Sequence, residues 1–263
     1  MDEYERLFKN RHKRNLIGLG TFGKVYSCKN NKAMKIASNI SIKHEYNIIK
    51  KLHGFNVPEV YTFKSFSKRS NVMFFQHIQG ETLHEWLGKN KSIKALRSII
   101  FQVVYNLYLI HKKYPSFRHR DLHTSNIMIR PVKQKYITWK NIHISNECLE
   151  PVMIDFGMAT MSTVKNPFNC KNCRDITTFD IHEKSEKIYD VHLFLCSLYN
   201  EVKIPKNIND RKVKHFILTL FPRNYIYDSI YVKYGRLRSK IKHKKLPEFK
   251  DVLESVNKNI SEK

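Results

Sequence analysis

The stretch His119-Arg120-Asp121-Leu122-His123-Thr124-Ser125-Asn126, followed by the apolar run Ile127-Met128-Ile129, decides how this 263-residue chain is read. It sets a carboxylate and an amide on a polar turn that runs into a strand-like segment. Downstream, Val152-Met153-Ile154 leads into Asp155-Phe156-Gly157, a second acid at the end of a second apolar run. Two acids and an asparagine are what metal-assisted phosphoryl transfer needs. One carboxylate orients the attacking hydroxyl, and the other, with the amide oxygen, holds Mg²⁺ against the phosphates. Mg²⁺ takes hard oxygen ligands, which Asp155 and Asn126 supply.

Upstream, Gly18-Leu19-Gly20-Thr21-Phe22-Gly23-Lys24-Val25 fits G-x-G-x-x-G-x-V. Glycines let a backbone approach phosphates closely, but the pattern alone is weak, because dinucleotide folds use a similar one. The dinucleotide version needs a helix directly after the glycines. Here Lys24-Val25-Tyr26-Ser27 reads as a strand, which favours a flap over a nucleotide. Lys35, within Ala33-Met34-Lys35-Ile36, is a cation among apolar strand residues and needs a phosphate or carboxylate partner. Glu45, on a helix expected from Ser41 to Leu52, is the candidate; alone it reads equally as a solvated helix face.

In this order and spacing the motifs resemble those of the eukaryotic-type protein-kinase superfamily: the glycine-rich loop, A-x-K, H-R-D-L-x-x-x-N and D-F-G. The resemblance runs from about residue 14 to at least 200, where Asp190-Val191-His192-Leu193-Phe194 matches a buried lower-lobe helix. It implies an α+β, two-lobed kinase-like fold, with a small antiparallel-sheet N-lobe (1–78) and a mainly helical C-lobe (79–263) in one domain. It also implies roles. Asp121, Lys35 and Asn126 form the catalytic set. Ile17, Gly18, Gly20, Thr21, Gly23, Val25, Ala33, Lys35, Glu45, Gln76 and Ile78 hold ATP, with Phe75 as gatekeeper and His77 in the hinge. Asn126 and Asp155 bind Mg²⁺. Arg120 is expected to face a phosphorylated residue among Thr160, Ser162, Thr163, Thr177 and Thr178.

The periodicity agrees with two lobes. Short strands are expected at Leu16-Ile17, Val25-Tyr26, Ala33 to Ile36, Val57 to Phe66 and Asn71 to Ile78. Helices are expected over Leu83 to Leu87, Ser92 to Lys112, Asp210 to Leu220 and Pro247 to Val256. Departures from the family pattern are informative. His123 stands where Ser/Thr kinases carry Lys. Asn126 and Asp155 are separated by 28 residues (127–154), about twice the usual spacing, so 133–150 reads as an extended hairpin or an insertion between two lower-lobe strands. No A-P-E occurs between Asp155 and Asp190, so either Asp175 or Asp180 supplies the anchor or the substrate platform is built differently.

The resemblance thus implies transfer of the γ-phosphoryl of Mg-ATP to Ser/Thr hydroxyls of protein substrates. A small-molecule kinase of aminoglycoside or choline type is the alternative, raised by His123 and the missing A-P-E. A non-catalytic scaffold is a third reading, against which stand Lys35, Asp121 and Asp155.

Composition sets the surroundings. The 48 basic and 23 acidic residues give +25, a field that attracts acidic or nucleic-acid-associated partners, although Lys/Asn/Ile bias accounts for part of it. No zinc finger or aromatic-basic RNA motif supports direct nucleic-acid binding. Cys28, Cys148, Cys170, Cys173 and Cys196 are not a disulfide framework, and Cys170-x-x-Cys173 has only His182 and His192 nearby, so loop thiols are expected rather than zinc. His111 and His143 read as packing or surface residues. The acidic start and the lack of an 18-residue uncharged apolar stretch point to a soluble, intracellular protein without a transmembrane segment. The compactness resembles kinases of large DNA viruses, which implies host cytoplasm or virion.

Overall fold

The computed structural model describes residues 2–20, 23–37, 41–67, 70–89, 92–140, 142–165, 185–201, 208–238, 241–243 and 246–259. Helix α1 (Glu3–Lys9) precedes strands β1 (Leu16–Gly20), β2 (Gly23–Ser27) and β3 (Lys32–Ala37), helix α2 (Ser41–Lys51), and strands β4 (Val60–Ser67) and β5 (Ser70–Gln76). These strands form an antiparallel sheet in the order β1-β2-β3-β5-β4. The expected strand from Val57 begins only at Val60. Pro58, two residues earlier, lacks the N–H a ladder needs.

Helix α2 lays Ile42, Ile48 and Ile49 into the interior, and Leu52 just beyond its end is buried with them. The other face of the sheet is covered by α1, which the sequence reading did not anticipate. Leu7 is buried with Met34, Val72 and Phe74, and Phe8 stacks on Phe66 at 4.0 Å. Asp2 caps the helix by accepting from the Glu5 N–H at 2.8 Å and pairs with Lys64; Glu3 pairs with Lys32 at 2.7 Å.

Beyond residue 80 come β6 (Glu81–Thr82), α3 (Leu83–Lys89), α4 (Ile93–Lys113), β7 (Ile127–Pro131), the hairpin β8 (Tyr136–Trp139) and β9 (Ile142–Ser145), and β10 (Leu149–Met153). Then follow α5 (Tyr189–Glu201), α6 (Ile208–Leu220), α7 (Arg223–Ile226), a second hairpin of β11 (Val232–Lys233) and β12 (Arg236–Leu237), and α8 (Phe249–Asn259). Helix α4 has the length and apolarity of a membrane span, but 67% of that stretch is buried. It is the core helix of the lower lobe, packed against β10 and α8.

The segment expected as an insertion is the β8–β9 hairpin, tied down rather than projecting. Trp139 and Ile144 are buried. Asn146 bridges its base, accepting from the Lys135 and Cys148 N–H groups at 2.9 and 3.1 Å and donating to the Lys133 carbonyl at 3.1 Å.

Two expectations test this packing. Gly80 lets β6 close on β7, since a Cβ there would fall 2.1 Å from the Ile129 carbonyl oxygen. Gly88, in α3, has nothing within 4 Å of a Cβ. Thermal melts should show Gly80→Ala destabilised by at least about 1–3 kcal/mol and Gly88→Ala stabilised by up to about 1 kcal/mol. The second concerns pH. Burial, helped for His111 by the charge of Arg118, holds His111 and His192 down at about 4. The unfolded chain therefore takes these protons first, so stability is complete above about 6.5 and falls as pH drops toward 4. Each contributes on the order of 1–2 kcal/mol by pH 5. The ring of His111 packs on Phe249 at 4.8 Å, so His111→Phe should keep the packing and flatten part of the slope in melting temperature between pH 6.5 and 5.

Candidate active site

Three charged side chains from separate elements meet at one ammonium. Lys35 Nζ, on the central strand β3, lies 2.8 Å from Glu45 Oε2 on α2 and 2.9 Å from Asp155 Oδ1 beyond β10. Lys35 and Glu45 are 6% and 3% exposed. Burial works to lower the lysine pKa, but the nearby charges of Glu45 and then Asp155 raise it above its ordinary value, so Lys35 stays a cation. Burial conversely pushes Glu45 up against the pull of Lys35. The sequence left Glu45 open between partner and solvated face; it is the partner.

Asp121 and Asn126 are also brought together. The Asn126 amide nitrogen donates to the Asp121 carbonyl at 2.8 Å and to its Oδ2 at 3.2 Å. His123 starts the 3₁₀ turn Thr124–Asn126, its Nδ1 accepting from the Ser125 N–H at 3.3 Å, with Nε2 3.7 Å from Asp121 Oδ2. Burial would raise the Asp121 carboxyl, but the His123 contact and the Arg236 cation hold it below the usual carboxylate range.

The loops carrying Asp121 and Asp155 are joined by main-chain contacts. The Ile154 N–H donates to the Asn126 carbonyl at 3.0 Å, and His119 Nε2–H donates to the Ile154 carbonyl at 3.0 Å. Phe156 packs on the His119 ring at 4.7 Å. Arg120 and Asp155 both adopt left-handed backbone, with φ of 69° and 60°, a conformation that persists only where neighbours enforce it. For Arg120 the enforcer is buried Asp190 on α5, which accepts from the His119 and Arg120 N–H groups at 2.7 and 2.8 Å. The Arg120 side chain is fully buried, and its Nε donates to Thr160 Oγ1 at 3.0 Å. Thr160 is one of the residues that Arg120 is expected to face, and the two meet here as guanidinium and hydroxyl.

The glycine-rich strands cover the same end of β3. Gly18 pairs with Val25, and Gly23 has φ +139° with a hypothetical Cβ only 2.3 Å from the Ile36 carbonyl oxygen, so glycine is required where β2 starts. Ile17 is 45% exposed; Thr21 lies outside the described residues. Ala33 is buried and pairs with Phe75. The Gln76 and His77 N–H groups donate to the Glu59 and Asn31 carbonyls at 2.7 and 2.8 Å, and Ile78 is buried.

For a divalent ion the donor set fits. Asp155 offers a carboxylate, and Asn126, its amide nitrogen turned to Asp121, has its amide oxygen left to offer: both are hard donors suited to Mg²⁺. Among the described residues no cluster of three or more His, Cys, Asp or Glu forms another metal site. Cys170, Cys173 and His182 lie outside them, and His192 is a core residue whose Nε2–H donates to the Tyr225 carbonyl at 2.6 Å. His143 is an exposed hairpin residue beside Thr138.

Sequence reasoning missed several supporting residues. Arg236 Nη2 lies 2.5 Å from Asp121 Oδ1. His44 brings its ring nitrogens 2.7 and 3.2 Å from the Ala159 and Lys165 carbonyls, fixing α2 to the segment after Asp155. Arg118 donates to the carbonyls of Ser185 and Glu186, each at 3.0 Å. Asp175, Asp180, Thr177 and Thr178 lie outside the described residues; Ser162 bonds Ser116 at 2.7 Å.

Comparison with known proteins agrees with this arrangement. The model of the protein kinase domain matches residues 11–177. A protein of Acanthamoeba polyphaga mimivirus named as a serine/threonine-protein kinase is 26% identical over 162 residues, 56% of this chain and 34% of that protein. A protein of Invertebrate iridescent virus 3 named as a kinase is 29% identical over 46% of this chain and 23% of its own length. A Dictyostelium discoideum protein named as serine/threonine-protein kinase glkA is 32% identical over 43% of this chain and 25% of its own. The matched stretches thus span at most about a third of each relative. With the family model covering more than half of its length and the motif residues gathered as that fold requires, the chain belongs to the eukaryotic-type protein kinase family.

Proposed function

We propose that this chain is an ATP-dependent protein kinase that transfers the γ-phosphoryl of Mg-ATP to Ser or Thr hydroxyls of protein substrates, working as one domain over 1–263 with lobes at 1–78 and 79–263. The observation that carries the reading is the Lys35–Glu45–Asp155 cluster facing the linked Asp121–Asn126 pair.

Each side chain has a task in this reading. Lys35, held by Glu45, binds the α- and β-phosphates as a fixed cation. Ile17, Val25, Ala33, Gln76 and Ile78 enclose the adenine, with Phe75 behind it, while Gly18, Gly20, Thr21 and Gly23 lie over the phosphates. Asp155 and the Asn126 amide oxygen hold Mg²⁺, which neutralises charge building on the phosphoryl oxygens. Asp121, an anion with a nearby hydrogen-bond donor on Oδ2, orients the acceptor hydroxyl and receives its proton. The excess of 48 basic over 23 acidic residues favours acidic or nucleic-acid-associated substrates, and the viral relatives support action in host cytoplasm or virion. His123 supports the small-molecule alternative, since its imidazole replaces the lysine of Ser/Thr kinases.

Radiolabelled transfer from Mg-[γ-³²P]ATP to a protein panel and to hydroxylated metabolites decides between these. Wild type should label Ser/Thr in protein, with Asp121→Ala lower by roughly 10²–10⁴-fold and Lys35→Ala by roughly 10²-fold or more. Label in metabolites alone would move the acceptor to small molecules. Nucleotide binding with silence across both panels would leave a scaffold.

A further inference from the structure

Arg236 lies 115 residues after Asp121, beyond the 11–177 stretch matched by the family model, yet reaches the centre of the site. The β11–β12 hairpin presents it. Tyr234 and Gly235 at the turn have φ of 51° and 72°, the left-handed pair of a tight hairpin. Val232 and Leu237 face each other across the ladder and are 1% and 2% exposed. Alternation along a strand sends neighbours to opposite faces, so burying Leu237 against α5 turns Arg236 the other way, over Asp121.

There the guanidinium acts as a fork. Nη2 meets Asp121 Oδ1 at 2.5 Å and Nη1 donates to the Arg120 carbonyl. With Asn126 donating to Oδ2 at 3.2 Å, both oxygens of the carboxylate are oriented by donors. The Arg236 side chain is only 13% exposed. Removing a cation this far from water earns little net stability, whereas a planar, two-point fork gives geometric control that an ammonium cannot. Gripping one side chain and the main chain beside it fixes the carboxylate relative to the loop that bears it.

We propose that Arg236 is a positioning residue for phosphoryl transfer, holding the Asp121 carboxylate from the β11–β12 hairpin in the orientation that takes the acceptor hydroxyl. The inference rests on the kinase reading above. It belongs to the transfer step, because the guanidinium meets the Asp121 carboxylate and the Arg120 carbonyl of the loop that bears it.

Steady-state transfer by wild type, Arg236→Ala, Asp121→Ala and the double variant tests it, with Mg-ATP-induced shifts in melting temperature as the binding readout. Arg236→Ala should lower kcat by roughly 100-fold, the scale of a misplaced catalytic group, with KM for ATP and the ATP-induced shift within about threefold and a degree or two of wild type. Guanidinium at tens of millimolar should restore part of that kcat, and Arg236→Ala should cost nothing further in the Asp121→Ala background. If the alanine variant does not fold, Arg236→Met, which keeps the packing of the aliphatic stem, should show the same split between kcat and KM. Wild-type kcat in both variants, equal losses in both backgrounds, or a kcat above wild type (the hairpin then blocking the site) would each overturn the inference while leaving the kinase reading intact. A wild type that transfers phosphate to no acceptor would overturn both, and is told apart because the unaltered chain itself is silent.

Discussion

A lysine 6% exposed between two carboxylates is the constraint on which the rest of the site depends. An ammonium removed from water is tolerated only when opposite charge and hydrogen bonds replace its hydration. Here β3 and α2 contribute the buried pair, so neither Lys35 nor Glu45 can withdraw without leaving a buried charge uncompensated, and the part-exposed Asp155 joins them from the loop after β10. That mutual requirement sets where α2 lies against the sheet and where Asp155 emerges from the lower lobe. His44, next to Glu45, extends the grip by reaching the carbonyls of Ala159 and Lys165.

A second constraint organises the loop of Asp121. Its backbone takes a left-handed turn at Arg120, which a residue with a Cβ resists. Asp190 offsets this by accepting two successive N–H groups from inside the core, where competition from water is absent. The buried helix α5 therefore serves as the template for the loop of Asp121. On the far side the β11–β12 hairpin closes on the same loop, so Asp121 is held from the core by Asp190 and from the surface by Arg236.

How much of this was legible in the sequence follows from what each residue has to do. Asp121, Asn126, Asp155, Lys35 and the glycines could be singled out because their types, order and spacing match the protein-kinase motifs. Gly23 has its own backbone reason as well: a Cβ would strike the Ile36 carbonyl. The 3.6-residue periodicity of α4 and the β8–β9 hairpin were also readable, the hairpin from the long Asn126–Asp155 spacing set against the family pattern. Helix α1 was not, because seven residues with a single buried side chain, Leu7, carry too short a periodic signal. Arg236 was hidden among a run of basic residues, where only the burial of Leu237 beside it shows which one turns inward. The full burial of Arg120 was not legible, since it comes from packing of elements distant in sequence.

The missing A-P-E motif has a related explanation. A side-chain ion pair anchoring the end of the segment before α5 would require a particular acid there, and so leave a signature. Among the described residues, Arg118 donates to the main-chain carbonyls of Pro115, Phe117, Ser185 and Glu186. Every residue owns such a carbonyl, so this anchor makes no demand on the side chains it holds. The adjoining residues tie the loop to Asp190, which places the segment's return and the Asp121 loop on the same buried helix. An anchor of this kind holds the backbone at Ser185 and Glu186 without requiring a particular side chain at either position.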